Sequence, residues 1–417
     1  MDALIIQGGR PLNGRVTVSG AKNAALPVMA ATLLTPGVHV LRNVPSLADT
    51  RTMSRVLEKL GARIDFNDHE CRIDTTDIST LEAPYDLVRT MRASIYVLGP
   101  MLARFGAARV SLPGGCAWGP RPVNLHLEGL DAMGAQLEID HGYIVAKDVK
   151  LKGAEIHHET VSVGATAQIM MAATLAEGTT VIHGAALEPD ITVLGQILVQ
   201  CGARIEGLGS RTITVHGVRS LTPIDTTIIP DRIEAATFLA AAAITGGEVT
   251  LEQCDPEHIR ASIDKLQEAG CEIHAAGRKV TISGPVRPGA LTVVTQPYPG
   301  FPTDMQPQMM ALCSIADGES VITDTIYLDR FSHVPELGRL GAEIRLDHNV
   351  ATIRGVKSLQ GAPVMATDIR ASAALVLAAL VAEGETKISR IYHLDRGYEA
   401  LDQKLVQLGA SVRRIRE

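Results

Sequence analysis

The sequence predicts an α/β protein of two similar domains, each built from three copies of one repeat. The chain has 417 residues, too many for one ordinary hydrophobic core. A Leu-Gly-Ala tripeptide, or a close variant of it, ends an amphipathic stretch six times, and the glycines lie 68 to 73 residues apart. These glycines are Gly61, Gly134, Gly202, Gly270, Gly341 and Gly409. Three such repeats make a domain of ordinary size, so six repeats indicate two domains.

Each repeat contains two helices of different character. One is amphipathic, as in DPEHIRASIDKLQEAG, where Asp255 precedes a proline at the first helical position. The other is apolar nearly all round and rich in small residues, as in TFLAAAAITGG, which predicts burial on every side. A glycine ends five of the six apolar stretches, where we expect left-handed helix caps. Short alternating strands fill the rest of each repeat.

The repeats also predict the domain boundaries. A unit this small cannot bury its own apolar helix, so neighbouring units must share a core. We expect repeats 1–3 in residues 21–229 and repeats 4–6 in residues 230–417, divided near IIPDRIE. The first apolar helix begins only after residue 20. A hairpin over residues 1–20 is therefore spare, and we expect it to complete the second domain.

Composition excludes several functional classes. Hydrophobic residues make up 46% and charged residues 20%, which is typical of a soluble globular protein. The net charge of −7 and the lack of a long basic run argue against nucleic acid as a partner. The apolar runs are shorter than a membrane span, so no membrane association is expected. The first residues lack a signal-peptide pattern and the six cysteines lack CxxC spacing, which favours a cytoplasmic location. The histidines form neither HxxxH nor HExxH, so we expect no metal and no cofactor.

One segment combines an unusual composition with a reactive residue. In SLPGGCAWGPRPVNLH, residues 111–126, glycines and prolines prevent a continuous helix or strand. Cysteine is usually buried, so Cys116 in such a segment points to a chemical role. We expect residues 111–122 to form a mobile lid that carries Cys116 to a substrate.

Charged and polar residues recur where the apolar helices begin. A helix N-terminus attracts anions, so lysine and arginine placed there oppose the helix dipole unless an anionic ligand compensates. For any one of these residues taken alone, a surface salt bridge is the better explanation. Because several recur in equivalent repeats, we infer that they bind an anionic ligand. The residues at helix starts are Lys22, Asn23, Arg92, Asp304, Asp368 and Arg370, and other segments add Arg121, Arg330 and Arg396.

Several long motifs resemble those of the enolpyruvyl transferases, and among them the branch that acts on UDP-N-acetylglucosamine. They are SGAKNAALPVMAATLL, TMRASIYVLGP, SLPGGCAWGPRPVNLHLEGL, VSVGATAQIMMAATLAEGTT, FPTDMQPQ and ATDIRASAALVLAALVAEGETKISRIYHLDRGYE, and they span the chain in order. The resemblance implies an inverse α/β barrel in each domain, with strands outside and helices inside. It also implies two small-molecule substrates, phosphoenolpyruvate and UDP-N-acetylglucosamine, and no cofactor.

The resemblance further implies the reaction and the residues that carry it. The sugar 3-hydroxyl adds to C2 of phosphoenolpyruvate while C3 gains a proton, and the adduct then loses phosphate to open peptidoglycan synthesis. Cys116 matches the proton donor, which also forms covalent adducts. Lys22 and Arg121 match phosphate contacts, with Arg92 in the same cationic set, and Arg370 and Arg396 match carboxylate contacts. Asn23 matches a residue that grips the intermediate, and Ile326 a main-chain contact.

Two matters stay open within the resemblance. Asp304 matches the carboxylate beside the 3-hydroxyl, as a general base or an orienting group, yet it could also cap the fifth apolar helix. Asp368 is an equal candidate for accepting the hydroxyl proton. The uridine and diphosphate contacts match Arg121, Pro122, Val123, Asn124, Leu125, Thr160, Val161, Ser162, Val163 and Gly164. The family often has aspartate at Asn124, lysine at Thr160 and a smaller residue at Trp118.

Two other functions fit parts of the pattern. The first is enolpyruvyl transfer to shikimate 3-phosphate, but that branch typically has SKS where this chain has AKN, and it lacks the loop cysteine. The second is a non-catalytic repeat scaffold, which would explain the repeats but neither the cations at helix starts nor Cys116.

Replacing Cys116 tests its role as proton donor. A serine hydroxyl is too weak an acid to protonate the forming methyl group, so we expect Cys116→Ser to be nearly inactive. An aspartate whose pKa rises by desolvation can donate, and Lys22 and Arg121 oppose that rise, so Cys116→Asp should stay active with an optimum at lower pH. The aspartate variant should also escape the epoxide fosfomycin, which the family's cysteine attacks. The measurement is a pH profile of phosphate release, and a fully active serine variant would remove Cys116 from the chemistry.

Overall fold

A computed structural model describes residues 2–112 and 123–416 of the chain. The chain divides into two compact units, Met1–Ser19 with Pro230–Glu417 (unit 1) and Gly20–Ile229 (unit 2). Each unit has its own apolar core, made almost entirely of Ala, Val, Ile, Leu and Met. The predicted α/β class and repeat architecture are confirmed, because each unit contains three four-stranded sheets of one pattern in the described residues.

The same strand pairing recurs in every sheet. The first strand is parallel to the second, and the remaining neighbours are antiparallel. The strands are β1 (Asp2–Gln7), β2 (Asn13–Thr17), β3 (Val38–Arg42), β4 (Arg63–Asn67), β5 (Glu70–Asp74), β6 (Glu82–Ala83), β7 (Ala108–Ser111), β8 (Glu138–Asp140), β9 (Tyr143–Ala146), β10 (Glu155–His157), β11 (Thr179–His183), β12 (Arg204–Glu206), β13 (Thr212–His216), β14 (Asp225–Thr227), β15 (Glu248–Glu252), β16 (Glu272–Ala276), β17 (Lys279–Ser283), β18 (Thr292–Val294), β19 (Glu319–Thr323), β20 (Glu343–Asp347), β21 (Val350–Arg354), β22 (Pro363–Met365), β23 (Glu385–Ser389) and β24 (Ser411–Arg416). The sheets of unit 2 are β14-β3-β5-β4, β6-β7-β9-β8 and β10-β11-β13-β12, and those of unit 1, read in the same direction, are β2-β15-β17-β16, β18-β19-β21-β20 and β22-β23-β1-β24.

The N-terminal strands do not form the predicted hairpin. β1 lies antiparallel between β23 and β24, whereas β2 is the outer strand parallel to β15. Each strand fills a position that the repeat pattern requires in a different sheet, the third position for β1 and the first for β2. The prediction of a hairpin is therefore wrong. The backbone groups of β1 pair on both sides with β23 and β24, and β2 pairs with β15 and buries Val16, so each strand completes a different sheet of unit 1.

The α-helices fall into the two predicted kinds. The apolar helices are α1 (Lys22–Ala31), α4 (Leu98–Phe105), α6 (Val163–Ala173), α8 (Arg232–Thr245), α10 (Gln306–Cys313) and α12 (Ile369–Val381). The amphipathic helices are α2 (Ala48–Leu60), α5 (Asn124–Ala132), α7 (Pro189–Gln200), α9 (Arg260–Glu268), α11 (Val334–Arg339) and α13 (Leu401–Gln407), and α3 (Tyr85–Val88) is a single turn. Short 3-10 helices span Thr32–Leu34, Arg92–Val97, Pro256–Ile259, Thr303–Met305 and Ile391–Arg396. No helix in the described part of the chain is long and apolar enough to cross a bilayer.

The six repeat glycines end the amphipathic helices for a steric reason. All six have positive φ, between 89° and 114°. The next residue donates its N–H back into the helix each time, as from Ala62 to Leu57 and from Ala410 to Leu405. This is the Schellman closure, which favours glycine because it has no Cβ to clash in the left-handed region.

The glycine caps predicted for five apolar helices are correct at two. Gly106 and Gly246 follow α4 and α8 directly in the left-handed conformation. Gly178, Gly318 and Gly384 also have positive φ, but α6, α10 and α12 end several residues earlier. The residue before each of these three glycines forms a β-bridge, as between Glu177 and Lys152. There the glycine makes the turn into a strand, and the prediction of a helix cap is wrong.

The apolar helices of each unit have their N-terminal ends close together. In unit 1, Arg370 at the start of α12 contacts Asp304, just before α10, and Thr237 in α8 contacts Met305. In unit 2, Tyr96 lies against the start of α6 at Gly164, and Gly99 lies further along α6 against Gln168. The starts of α10 and α12 therefore meet in unit 1, and in unit 2 the turn that contains Arg92 and the helix α4 that follows it run alongside α6 in the same direction.

The buried His39 of β3 gives unit 2 a predicted acid sensitivity. Its Nδ1 accepts a hydrogen bond from the Ile224 N–H at 2.9 Å, and its Nε2 lies 3.0 Å from Thr75 Oγ1. Burial lowers the pKa of His39 to about 4. Because the folded pKa lies below the unfolded value, the unfolded state takes up the proton first as pH falls.

We therefore expect the free energy of unfolding to be unaffected by His39 above about pH 6.5. The free energy of unfolding should fall by about 3 kcal/mol between pH 6.5 and pH 4. The measurement is urea denaturation at a series of pH values. His39→Gln should flatten this part of the pH dependence while lowering stability at pH 7, and an unchanged slope in the variant would contradict the assignment.

Candidate active site

Asp304 lies between two buried arginines of unit 1. Its Oδ2 accepts a hydrogen bond from Arg370 Nη2 at 2.8 Å, and its Oδ1 lies 2.8 Å from Arg330 Nη1. Burial alone would raise the pKa of Asp304, but the charges of Arg370 and Arg330 hold the pKa of this carboxyl well below its usual value. Asp304 thus forms charged hydrogen bonds with two guanidinium groups at once.

Asp304 does not act as the N-cap that the sequence left open. The capping positions of the 3-10 turn and of α10 are Pro302 and Met305, and neither makes a side-chain cap hydrogen bond. The carboxylate is used instead by the two arginines. The capping alternative is therefore wrong, because two buried cations are stronger partners for the carboxylate than backbone N–H groups.

Arg370 has one guanidinium nitrogen that the described residues do not satisfy. The residue is 3% exposed, and its Nη1 has no hydrogen-bond partner in residues 2–112 and 123–416. A Cβ added to Gly397 would lie 3.6 Å from this Nη1, so the segment that carries Arg396 is adjacent. The Tyr398 ring lies 5.5 Å from the guanidinium carbon on another side. A buried, unsatisfied cation next to a second arginine is a suitable contact for an anionic ligand.

Asp324 organises the residues behind this cluster, and sequence reasoning missed it. It is fully buried and accepts hydrogen bonds from Thr295 Oγ1 at 2.8 Å and Thr303 Oγ1 at 2.7 Å. It also accepts one from the Ile326 N–H at 3.0 Å. A main-chain substrate contact at Ile326 would therefore come from its carbonyl group. Thr303 in turn accepts from Arg330 Nη1 at 3.0 Å. The only sequence signal for Asp324 was a lone carboxylate at the end of an apolar strand.

Asp368 has a structural role in this arrangement. It is the N-cap of α12, and its Oδ1 accepts hydrogen bonds from the backbone N–H groups of Arg370 and Ala371 at 2.8 and 3.1 Å. Its Oδ2 lies within 3.4 Å of Ser332 Oγ and Thr367 Oγ1. These bonds position the start of α12 and thus Arg370. Of the two candidate proton acceptors, Asp304 makes its hydrogen bonds to side chains that a substrate anion can also engage.

In unit 2, Lys22 is paired with a carboxylate that sequence reasoning did not assign. Its Nζ lies 3.6 Å from Asp49 Oδ2, and both side chains are at most 10% exposed. Asp49 comes from the first turn of α2, whereas Lys22 is the first residue of α1 and Asn23 the second. The pair holds the lysine side chain where α1 and α2 pack together.

The structure brings the two predicted uridine and diphosphate segments together around His126. A Cβ added to Gly164 would lie 2.8 Å from His126 Nε2, so only glycine allows this approach. His126 Nδ1 lies 3.3 Å from Gln168 Oε1. Burial, together with the charge of Arg92, lowers the pKa of His126 to about 4. His126, in α5, therefore contacts α6 and lies near Arg92. The only sequence signal for it was its position at the end of SLPGGCAWGPRPVNLH.

The remaining predicted contacts of unit 2 lie on the starts of α5 and α6. Ser162 caps α6 by accepting from the Ala165 N–H at 3.2 Å. Asn124 is exposed at the start of α5 and donates from Nδ2 to Glu128 Oε1 at 3.0 Å. Val123 and Leu125 flank it, Val161 and Val163 flank Ser162, and Thr160 is exposed. The N-termini of α5 and α6 are thus available for a polar or anionic group.

The proposed lid lies largely outside the described residues. Cys116, Trp118, Arg121 and Pro122 fall in residues 113–122, which the structure does not describe. The other five cysteines are all buried free thiols. Burial raises the pKa of Cys71, Cys254 and Cys271 to about 12, and that of Cys313 to about 11. These thiols stay protonated at neutral pH and are poor nucleophiles.

Asp304→Asn tests whether the arginine pair forms an anion site. Without the carboxylate, Arg330 and Arg370 lose the charged partner that they share, so the variant should lose about 3 kcal/mol of unfolding free energy. Inorganic phosphate should then raise its melting temperature more than that of the wild type, at matched ionic strength. Asp317→Asn is the control, because Asp317 pairs with Arg287 at an exposed position. Equal phosphate effects on Asp304→Asn and on the wild type would contradict the anion site.

Comparison with known proteins identifies the family. Residues 6–405 match the family described as EPSP synthase (3-phosphoshikimate 1-carboxyvinyltransferase). The UDP-N-acetylglucosamine 1-carboxyvinyltransferases of Geobacter metallireducens and Thermodesulfovibrio yellowstonii are 56% and 55% identical over 417 residues, covering 100% of each chain. Among solved structures, the enolpyruvyl transferase NikO from Streptomyces tendae has a TM-score of 0.88 at 27% identity, over 99% of this chain and 98% of NikO.

An EPSP synthase from Acinetobacter baumannii shares the fold, with a TM-score of 0.76 at 18% identity over 100% of both chains. Full-length similarity to carboxyvinyl transferases in sequence thus agrees with the repeated sheets and the gathered helix starts. The chain belongs to the EPSP synthase family of enolpyruvyl transferases.

Proposed function

We propose that this chain transfers the enolpyruvyl group of phosphoenolpyruvate to the 3-hydroxyl of UDP-N-acetylglucosamine and releases phosphate. The observation that carries the donor is the buried Arg370, whose unsatisfied Nη1 calls for an anion beside Arg396. The names of relatives that match over the whole chain at 51–56% identity support the acceptor. Both substrates are polyanions, in keeping with cationic clusters in a chain of net charge −7.

In unit 1, Arg370 and Arg396 bind the carboxylate of phosphoenolpyruvate. Burial makes each charged hydrogen bond to this group strong, because water does not compete for it. Asp304 orients the 3-hydroxyl of the sugar. In the free protein its carboxylate is a weak base, since Arg370 and Arg330 stabilise its ionised form. When the substrate carboxylate engages Arg370, the pull on Asp304 weakens, and Asp304 accepts the hydroxyl proton more readily.

In unit 2, Lys22 binds the phosphate of phosphoenolpyruvate together with Arg121, and Asn23 holds the intermediate. The contact with Asp49 keeps the ammonium group in place before the substrate arrives. Arg92 adds positive charge to the same set. Residues 121–125 and 160–164 contact the uridine and diphosphate, largely through the N-termini of α5 and α6. Exposed Thr160 supplies a hydroxyl there in place of a cation.

The chemistry is an addition followed by an elimination. The sugar O3 forms a bond to C2, the π electrons of the double bond take a proton at C3, and the O3 proton passes to the carboxylate base. The C2–O bond to phosphate then breaks, and C3 returns a proton as the double bond reforms. Cys116 supplies the proton to C3, which a thiol of ordinary pKa can do. The product is an enolpyruvyl ether of the sugar nucleotide, and we propose that it serves peptidoglycan synthesis in the cytoplasm.

Phosphate release tests the acceptor directly. We expect the purified chain to release phosphate from phosphoenolpyruvate with UDP-N-acetylglucosamine, and not with shikimate 3-phosphate. The AKN motif at residues 21–23 and the presence of Cys116 favour the sugar nucleotide. Release only with shikimate 3-phosphate would reassign the acceptor, and no release with either would favour a non-catalytic scaffold.

Charge removal tests the cation assignments. Losing a charged partner that the bound substrate shields from water costs about 2–5 kcal/mol, so Lys22→Ala and Arg396→Ala should each lower kcat/KM for phosphoenolpyruvate by at least about 30-fold. Arg204→Ala is the matched control, because Arg204 is exposed on β12 and an exposed charge contributes about 0–1 kcal/mol. The kinetics are followed by phosphate release. Similar losses of kcat/KM in all three variants would contradict the assignment of Lys22 and Arg396 as contacts of phosphoenolpyruvate.

A further inference from the structure

A cluster of three metal-ligating side chains lies on a sheet of unit 2, apart from the proposed active-site residues. Glu155 and His157 lie on β10, and His183 lies on the neighbouring parallel strand β11. Their ligand atoms all lie within 4.8 Å of one another. Nothing in the proposed transferase reaction uses these residues.

The sheet register places the three side chains on one face. His157 and His183 are directly paired across the two strands, and Glu155 precedes His157 by two residues. Side chains alternate between the faces of a sheet, so these three point the same way. The intervening residues Ile156 and Ile182 are buried, which puts the three ligands on the outward, accessible face.

The distances suit a small divalent ion. Glu155 Oε1 lies 2.9 Å from His183 Nε2 and 3.7 Å from His157 Nε2. In a tetrahedral zinc site the metal–ligand bonds of about 2.0–2.1 Å place neighbouring ligand atoms about 3.3 Å apart. The two separations bracket that value. The two imidazole rings are stacked, with centroids 4.4 Å apart and an angle of 14° between their planes. An ion lies in the plane of each imidazole that binds it, so the exposed ring of His157 must turn out of the stack for both histidines to bind one ion.

Metal binding would change the proton position on His183. In this structure Nε2 donates to Glu155 Oε1 at 2.9 Å, so an ion must replace that proton, as metal binding to protonated ligands generally requires. Thr212 Oγ1, 3.5 Å from Nδ1, is placed to accept from Nδ1 once the proton resides there, as in histidine sites with an outer hydrogen-bond partner. Two imidazoles and a carboxylate are ligands that zinc, nickel, copper and cobalt accept, whereas magnesium and calcium prefer oxygen ligands.

We propose that Glu155, His157 and His183 form a site for a divalent transition metal of the zinc class. Water completes the coordination, because Glu155 and His157 are exposed. The bound ion links β10, the outer strand of its sheet, to β11. Binding to the folded state alone stabilises it, so the metal should raise the stability of the protein.

Zinc titration of the full chain tests the proposal, with competition against a chromogenic chelator as the readout. We expect one zinc equivalent in the wild type, and at least about tenfold weaker binding in His157→Gln and in His183→Gln. His216→Gln is the matched control: His216 lies near Glu206 on the same sheet without a second histidine ligand in the described cluster, and its zinc affinity should equal that of the wild type. Zinc should also raise the melting temperature of the wild type and of His216→Gln, while magnesium should not.

Three results would overturn the site. The first is a wild type that takes up no zinc, and the second is equal zinc affinity in the wild type and in both ligand variants. The third is loss of zinc binding in Cys116→Ser, which would move the zinc to the thiol. The ligand variants change accessible side chains, so equal melting temperatures in a chelator would show that they fold normally. Because zinc uptake is measured directly, the test does not depend on the transferase activity.

Discussion

The burial of the apolar helices is the constraint on which the rest of the structure depends. Within α1, α8 and α12, charged side chains occur only in the first turn, because a charge further along would lie unpaired in an apolar core. The starts of α10 and α12 meet in unit 1, and the turn that contains Arg92 meets the start of α6 in unit 2. Each unit thereby gathers charged groups at one place, while three four-stranded sheets cover the sides of its helices.

Buried charges at these ends are held by specific partners. Asp304 joins Arg330 to Arg370, Asp49 holds Lys22, and Glu234 pairs with Lys404 and accepts from the Ser19 N–H at 2.7 Å. Such pairs offset desolvation and set each side chain in one geometry. The pairing is incomplete at Arg370, whose Nη1 has no partner among the described residues. A cationic donor that is held in a fixed position and lacks a partner is suited to binding an anionic group of a substrate.

The accuracy of sequence-based prediction varied with the range of the interaction involved. The repeat glycines, the amphipathic and apolar helices and the α/β class follow from local rules, and the structure agrees with them. The prediction of an N-terminal hairpin was wrong because β1 and β2 complete sheets whose other strands lie far away in sequence. The predicted glycine caps were wrong at α6, α10 and α12 because each helix ends earlier and the glycine follows a residue that forms a β-bridge. The capping role considered for Asp304 was wrong because two arginines from distant segments bind its carboxylate.

The sequence by itself determined the two kinds of helix, their periodic ends and the list of charged residues at helix starts, since periodicity and φ preference act within a few residues. Only the tertiary structure decided which of these residues meet: Asp304 with Arg330 and Arg370, Lys22 with Asp49, and His126 with Gly164. It also decided that His183 lies across from His157, although no spacing in the sequence links them. The physical reason is that such contacts depend on strand register and helix packing, which bring together groups separated by tens to hundreds of residues.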